Sequence, residues 1–201
     1  MAEPADKPVR RVLSGMRIPV FISGPTDLNP DQDEVRNAII EMLNDEMLEP
    51  RALGRTDYPL SLPLAEVCVI ASHCAGGIIL GFEQLRATAG TRKHGARKDD
   101  GKDASRPITN EQMVRLPTAW NHMEAAILFA LGKPLMILCE QGIDEGVFFP
   151  GTASSFTHTL PANLNEFAAQ RDPIRQVIKS WRAQVSATYK NVWSFAERYM
   201  Q

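Results

Sequence analysis

Apolar and polar positions follow two rhythms along this chain: short unbroken apolar runs, and longer stretches spaced at the helical period. The first run, IPVFIS at residues 18–23, predicts a short buried strand. GPTD at 24–27 then breaks it with small residues, where a ligand can approach the backbone. Asn29, Pro30 and Gln32 carry the signature of a helix start, and Val35, Ala38, Ile39, Met42 and Leu43 form the apolar stripe behind it. Residues 49–53 predict a second strand, charged enough for a sheet edge. After the polar turn GRTDYP at 54–59, residues 63–74 predict a short helix with Leu64, Val67, Ile70 and Ala71 inward. GGIILGF at 76–82 is the third strand, and its glycine pair is too short for a phosphate loop.

Residues 117–140, PTAWNHMEAAILFALGKPLMILCE, give a helix followed at once by a strand. Met123, Ala126, Ile127, Ala130 and Leu131 share one helical face, and Gly132 and Pro134 end the helix. LMILC runs apolar without alternation, as a strand covered on both faces does. FTHTL at 156–160 predicts a fifth strand. Asp172-Pro173 predicts the opening of a long final helix, 172–200, with Ile174, Val177, Ile178, Trp181, Val185, Tyr189 and Val192 along one face. That helix either wraps the domain or offers a surface for a second copy.

Strands alternating with helices define an α/β class with right-handed crossovers. The simplest arrangement is a flavodoxin-like (Rossmann-like) parallel sheet of five strands ordered 2-1-3-4-5. It forms one domain over residues 18–201, behind a flexible leader at 1–17. One stretch departs from the pattern. Between residues 86 and 106 seven Lys or Arg meet three Asp, with almost no large apolar side chain. Residues 86–109 therefore read as a mobile insertion, and they are the one place where local charge could attract nucleic acid.

Composition narrows the class. With 201 residues, 44% apolar, 23% charged and a net charge of −2, the chain is an ordinary globular domain without the basicity of a nucleic-acid binder. No apolar run is long enough for a membrane span, and the leader lacks the apolar core of a secretory signal, so the expected location is cytoplasmic. Three cysteines, Cys68, Cys74 and Cys139, suit reduced, buried thiols. His73 beside Cys74 has no further ligand cluster in the sequence, so no metal site is expected.

The candidate chemistry centres on Trp120 and Glu124, four apart and so on one helical face. Glu124 can answer the helix dipole while Trp120 joins the core. Alternatively, a carboxylate beside an aromatic plane can recognise a ribose or stabilise positive charge on one. The expected topology favours the second option. It puts ligands beyond the carboxyl ends of strands one and three. That crevice would gather residues 24–27, with Gly24, Pro25 and Asp27, then residues 55–58, with Arg55, Asp57 and Tyr58, then Phe82, and finally Trp120 and Asn121 at the helix start.

FISGPTD resembles the first strand and loop of nucleoside 2-deoxyribosyltransferases, and PTAWNHMEAAILFALGKPLMIL is similar to the segment bearing that family's nucleophilic glutamate. The spacing from Trp120 to Glu124 also resembles that of TIR domains, whose NAD-cleaving members carry an essential glutamate on the corresponding helix. The chain looks like a bacterial TIR-like member standing between the two. It differs from the first family at Trp120-Asn121-His122 and from the second at Asn121, where a cysteine is usual. Both resemblances imply cleavage of a ribose–base bond through an oxocarbenium-like state, with Glu124 at the anomeric carbon. Trp120 would pack on base or sugar, Asp27 or Asp57 would bind a ribose hydroxyl, and Arg55 would meet a phosphate. The implied activity is NAD hydrolysis or cyclisation, with a role in antiviral defence. Nucleoside or nucleotide 2-deoxyribosyl transfer or hydrolysis is the alternative, and a non-catalytic nucleotide-sensing or assembly module a third. No cofactor is implied, NAD being substrate, and the expected partners are a small nucleotide and a second copy through the last helix.

Overall fold

The computed structural model describes residues 17–57, 62–143, 145–161 and 163–199, with side chains in the last helix described to residue 191. The leader up to residue 16, Tyr58 and Val192 therefore lie outside the described part. Five parallel strands form the central sheet: β1 (Ile18–Ser23), β2 (Leu48–Arg51), β3 (Gly77–Gly81), β8 (Leu135–Glu140) and β9 (Phe156–Leu160). Their order, β2-β1-β3-β8-β9, is the doubly wound order expected, with β2 at one edge.

Strand parity divides the core in two, because successive side chains point to opposite faces. Val20, Ile22, Ile78, Leu80, Met136 and Leu138 meet α1 (Pro30–Asp45) and the final helix α4 (Leu164–Tyr199). Phe21, Ile79, Ile137 and Cys139 meet α2 (Pro63–His73) and α3 (Ala119–Ala130). The anticipated capping box opens α1: Asn29 accepts from the Gln32 backbone at 2.9 Å, and the Gln32 side chain accepts from the Asn29 backbone at 3.3 Å. The stripe from Val35 to Leu43 is buried as expected, whereas Leu64 of α2 is 46% exposed.

Three further expectations require correction. The last helix starts at Leu164, not at Asp172, and runs through Pro173. Asn163 caps it, accepting from the Glu166 backbone at 2.9 Å, and Phe167 is buried in the same core as α1. Packing of this first segment outweighs the hydrogen bond that the proline cannot donate. Ile174, Ile178, Trp181 and Val185 are all buried against the sheet, so up to Val185 the stripe wraps the domain. Cys68 is exposed on α2, while Cys74 and Cys139 are buried.

The third correction concerns α3. Its buried residues are Asn121, Glu124, Ala125 and Leu128, whereas Met123 and Leu131 of the anticipated stripe are 38% and 44% exposed. Apolar residues occur on every side of this helix, so periodicity could not choose its inner face. The sheet chooses it. A Cβ on Gly77 would lie 2.3 Å from Leu128 Cδ1, so only glycine lets Leu128 seat there.

Residues 85–116 form two short antiparallel ladders, β4 (Leu85–Ala87) with β7 (Val114–Leu116) and β5 (Gly90–Arg92) with β6 (Arg106–Ile108). The basic stretch is thus a hairpin arm whose side chains are mostly exposed and whose strands are joined by backbone pairing. Glu83 fastens its base, pairing with Arg86 at 2.5 Å and Arg115 at 3.3 Å.

Candidate functional site

Ser23 is the last residue of β1, and its parity turns it toward α3. Facing it, Thr118 caps α3 by accepting from the Asn121 backbone at 3.2 Å, and its hydroxyl donates to Asn121 Oδ1 at 2.9 Å. With its carbonyl so held, Asn121 donates Nδ2 to Ser23 Oγ at 2.7 Å. Ser23 accepts there, leaving its own proton free for Glu124.

Glu124 is 8% exposed. Burial pushes its carboxyl up from 4.5 to about 7, and a hydrogen bond from Ser23 pulls partly the other way. It lines a small pocket at the carboxyl ends of β1 and β2, together with Ser23, Gly24, Thr26, Arg36, Leu53 and Arg55. The pocket has a free volume of about 40 Å³ and opens to solvent.

The pocket gathers some of the anticipated residues and leaves out others. Gly24 and Arg55 line it with Glu124, and Asn121 is wholly buried, where it can position neighbours but not touch a ligand. Pro25 is buried beside Gly24, whereas Asp27 is exposed and outside the pocket wall. Trp120 stands one helical turn before Glu124 and is 41% exposed, so it belongs to no core. Asp57 is committed elsewhere: it accepts from Arg51 Nε at 2.9 Å and from the Thr56 hydroxyl at 2.8 Å, which hold its carboxyl below the usual range. Phe82 shares the parity of Ile78 and Leu80, and is buried on the α1 and α4 face away from Glu124. The crevice therefore sits between β1 and β2, displaced from the expected position between β1 and β3.

Thr26, within the anticipated 24–27 turn, lines the pocket, whereas the polar lining residues Ser23 and Arg36 were not anticipated. Ser23 and Thr26 lie within the quoted FISGPTD motif, and strand parity would have singled out Ser23. Arg36 sits among the polar residues of α1 and gives no local signal. Burial pushes the Cys74 thiol up to about 12, far from a nucleophile's range. Among the described residues no group of three His, Cys, Asp or Glu could hold a metal ion, and no helix is long and apolar enough to cross a membrane.

No protein-family model matches the sequence, and no curated protein matches it. Among solved structures, the chain is similar to the CMP N-glycosidase BcmB of Clostridium botulinum, with a TM-score of 0.44 and 13% identity. That match covers 78% of this chain and 98% of the other.

Proposed function

We propose that the chain is an N-glycosidase that cleaves the bond between a ribose carbon and the base of a nucleotide. The observation that carries this reading is Glu124: a buried carboxyl with a raised proton affinity, held by a network from Ser23, facing a pocket at the carboxyl edge of the sheet. In so dry a place a carboxylate is poorly solvated, and its field acts on a neighbouring charge with little screening. As the bond breaks, its electron pair leaves with the base nitrogen and positive charge grows on the anomeric carbon. Ionised Glu124 stabilises that carbon or bonds to it, and water then adds there and gives up a proton to the departed base or to solvent, releasing the sugar and restoring the carboxylate.

A base bearing positive charge, as nicotinamide does in NAD, leaves without protonation and would favour the ionised form of Glu124. NAD hydrolysis or cyclisation is therefore the first substrate reading, and 2-deoxyribosyl transfer or hydrolysis from a nucleoside or nucleotide is the second. The test is chromatography of products after incubating the full chain with NAD, ribonucleotides and deoxynucleosides. Release of free base by the wild type, lost in Glu124→Gln, is the expected result. An inert wild type, tested alone and assembled, would overturn catalysis in favour of a sensing module.

A further inference from the structure

Two guanidinium groups reach the pocket from separate parts of the chain. Arg36 comes from the middle of α1 and Arg55 from the turn after β2, and both line the wall that includes Glu124. Arg55 donates Nη2 to the Thr26 carbonyl at 2.9 Å, and Arg36 donates Nη1 to Asn37 Oδ1 at 3.3 Å. Each contact uses one of five donors. Among the described residues neither arginine makes an ion pair, whereas Arg51 of β2 is closed off by Asp57 and Glu49.

The two cations also feel each other. Burial first, then the charge of Arg55, holds the proton affinity of Arg36 below the usual arginine range, with only Asp33 opposing. A half-buried guanidinium and an exposed one that repel each other are better matched when an anion takes hydrogen bonds from both.

We propose that Arg36 and Arg55 form a phosphate-binding subsite beside Glu124, so that the pocket takes phosphorylated nucleosides in preference to free ones. The phosphate can be the terminal group of a nucleoside 5′-phosphate or the diphosphate bridge of a dinucleotide. The catalytic consequence rests on the N-glycosidase reading, but the binding does not. Arg55 lies on the exposed turn and Arg36 on the helix beside it, so each can be replaced without emptying the core.

The experiment is calorimetric titration of the full chain with ribose 5-phosphate and with ribose. Ribose 5-phosphate should bind at least about 10-fold tighter than ribose, and Arg36→Ala and Arg55→Ala should each remove about 10-fold or more of that affinity. Arg55→Lys should restore part of it. Equal binding of the two sugars, or unchanged affinity in both alanine variants, overturns the subsite. A kinetic arm compares nucleoside 5′-monophosphates with their nucleosides, and NAD with nicotinamide riboside. Preference for the phosphorylated member, lost in Arg55→Ala, supports the subsite, and the pair that shows it identifies the source of the phosphate. If no substrate turns over, the N-glycosidase reading fails alone and the titration still decides the subsite.

Discussion

Asn121 donates its side-chain amide to the hydroxyl of Ser23 at 2.7 Å, bridging 98 residues of sequence inside the protein. The contact ties the start of α3 to the end of β1 and fixes the hydroxyl that faces Glu124. Replacing Ser23 with alanine removes the influence that draws the Glu124 proton affinity down. The acid limb of the pH–rate profile of Ser23→Ala should therefore move to higher pH, read as kcat/KM against pH. An unmoved limb would detach Ser23 from Glu124.

Glu124→Gln removes the charge but keeps the shape. Turnover of the wild-type substrate should fall by at least about 100-fold, measured by product release. Stability should respond to pH in a defined direction. The folded protein keeps a proton on Glu124 that the unfolded chain releases above its ordinary 4.5, so wild type loses stability as pH rises from there through about 7. The loss is on the order of 3 kcal/mol at its limit. Glu124→Gln and wild type should thus melt alike near pH 4 and diverge near pH 8, with the variant the more stable. Calorimetric Tm values across that range provide the check.

Gly77→Ala should destabilise by about 1–3 kcal/mol, since the new methyl overlaps Leu128. Leu128→Ala alone should cost about 2–5 kcal/mol through the cavity left behind. Together the two should cost less than their sum, because the methyl then occupies space the leucine has vacated. Urea unfolding of the four proteins measures the coupling.

Thiol labelling separates the cysteines. Cys68 is exposed and should react promptly with a polar reagent in native protein, whereas Cys74 and Cys139 are buried and should react only on unfolding. Mass spectrometry of labelled peptides shows which thiol reacts first. Early modification of Cys74 would contradict its burial.

Limited trypsin should cut first toward the tip of the hairpin arm, at Lys93, Arg97, Lys98 or Lys102, all exposed. The two fragments should stay together, because β3 and β8 pair on either side of the arm. Cleavage within α3 ahead of the arm would refute this.

The fold was readable because unbroken apolar runs and helical stripes alternate so regularly that one sheet order accommodates them. The helix bearing Glu124 was readable because a clear stop and a clear strand follow it. What periodicity could not supply was rotation: with apolar residues all round α3, the inner face depended on Gly77 in a strand some forty residues earlier. Asp57 and Phe82 were placed at the crevice by position along the chain, yet Arg51 claims the first and strand parity turns away the second. Arg36 became visible only when folding brought it to Arg55. The ladders of the arm were not legible because they depend on main-chain groups that every sequence possesses.

The division of the core by strand parity has a mechanical meaning for the pocket at the end of β1. Arg36 belongs to the helical layer on one side of the sheet and Glu124 to the layer on the other, and the two meet only past the strand's last residue. A ligand held by both would act as a rivet between layers on opposite faces of the sheet. Its occupancy would be felt as slower opening of α1 and α3 together, so that amide exchange on both faces would report a single binding event.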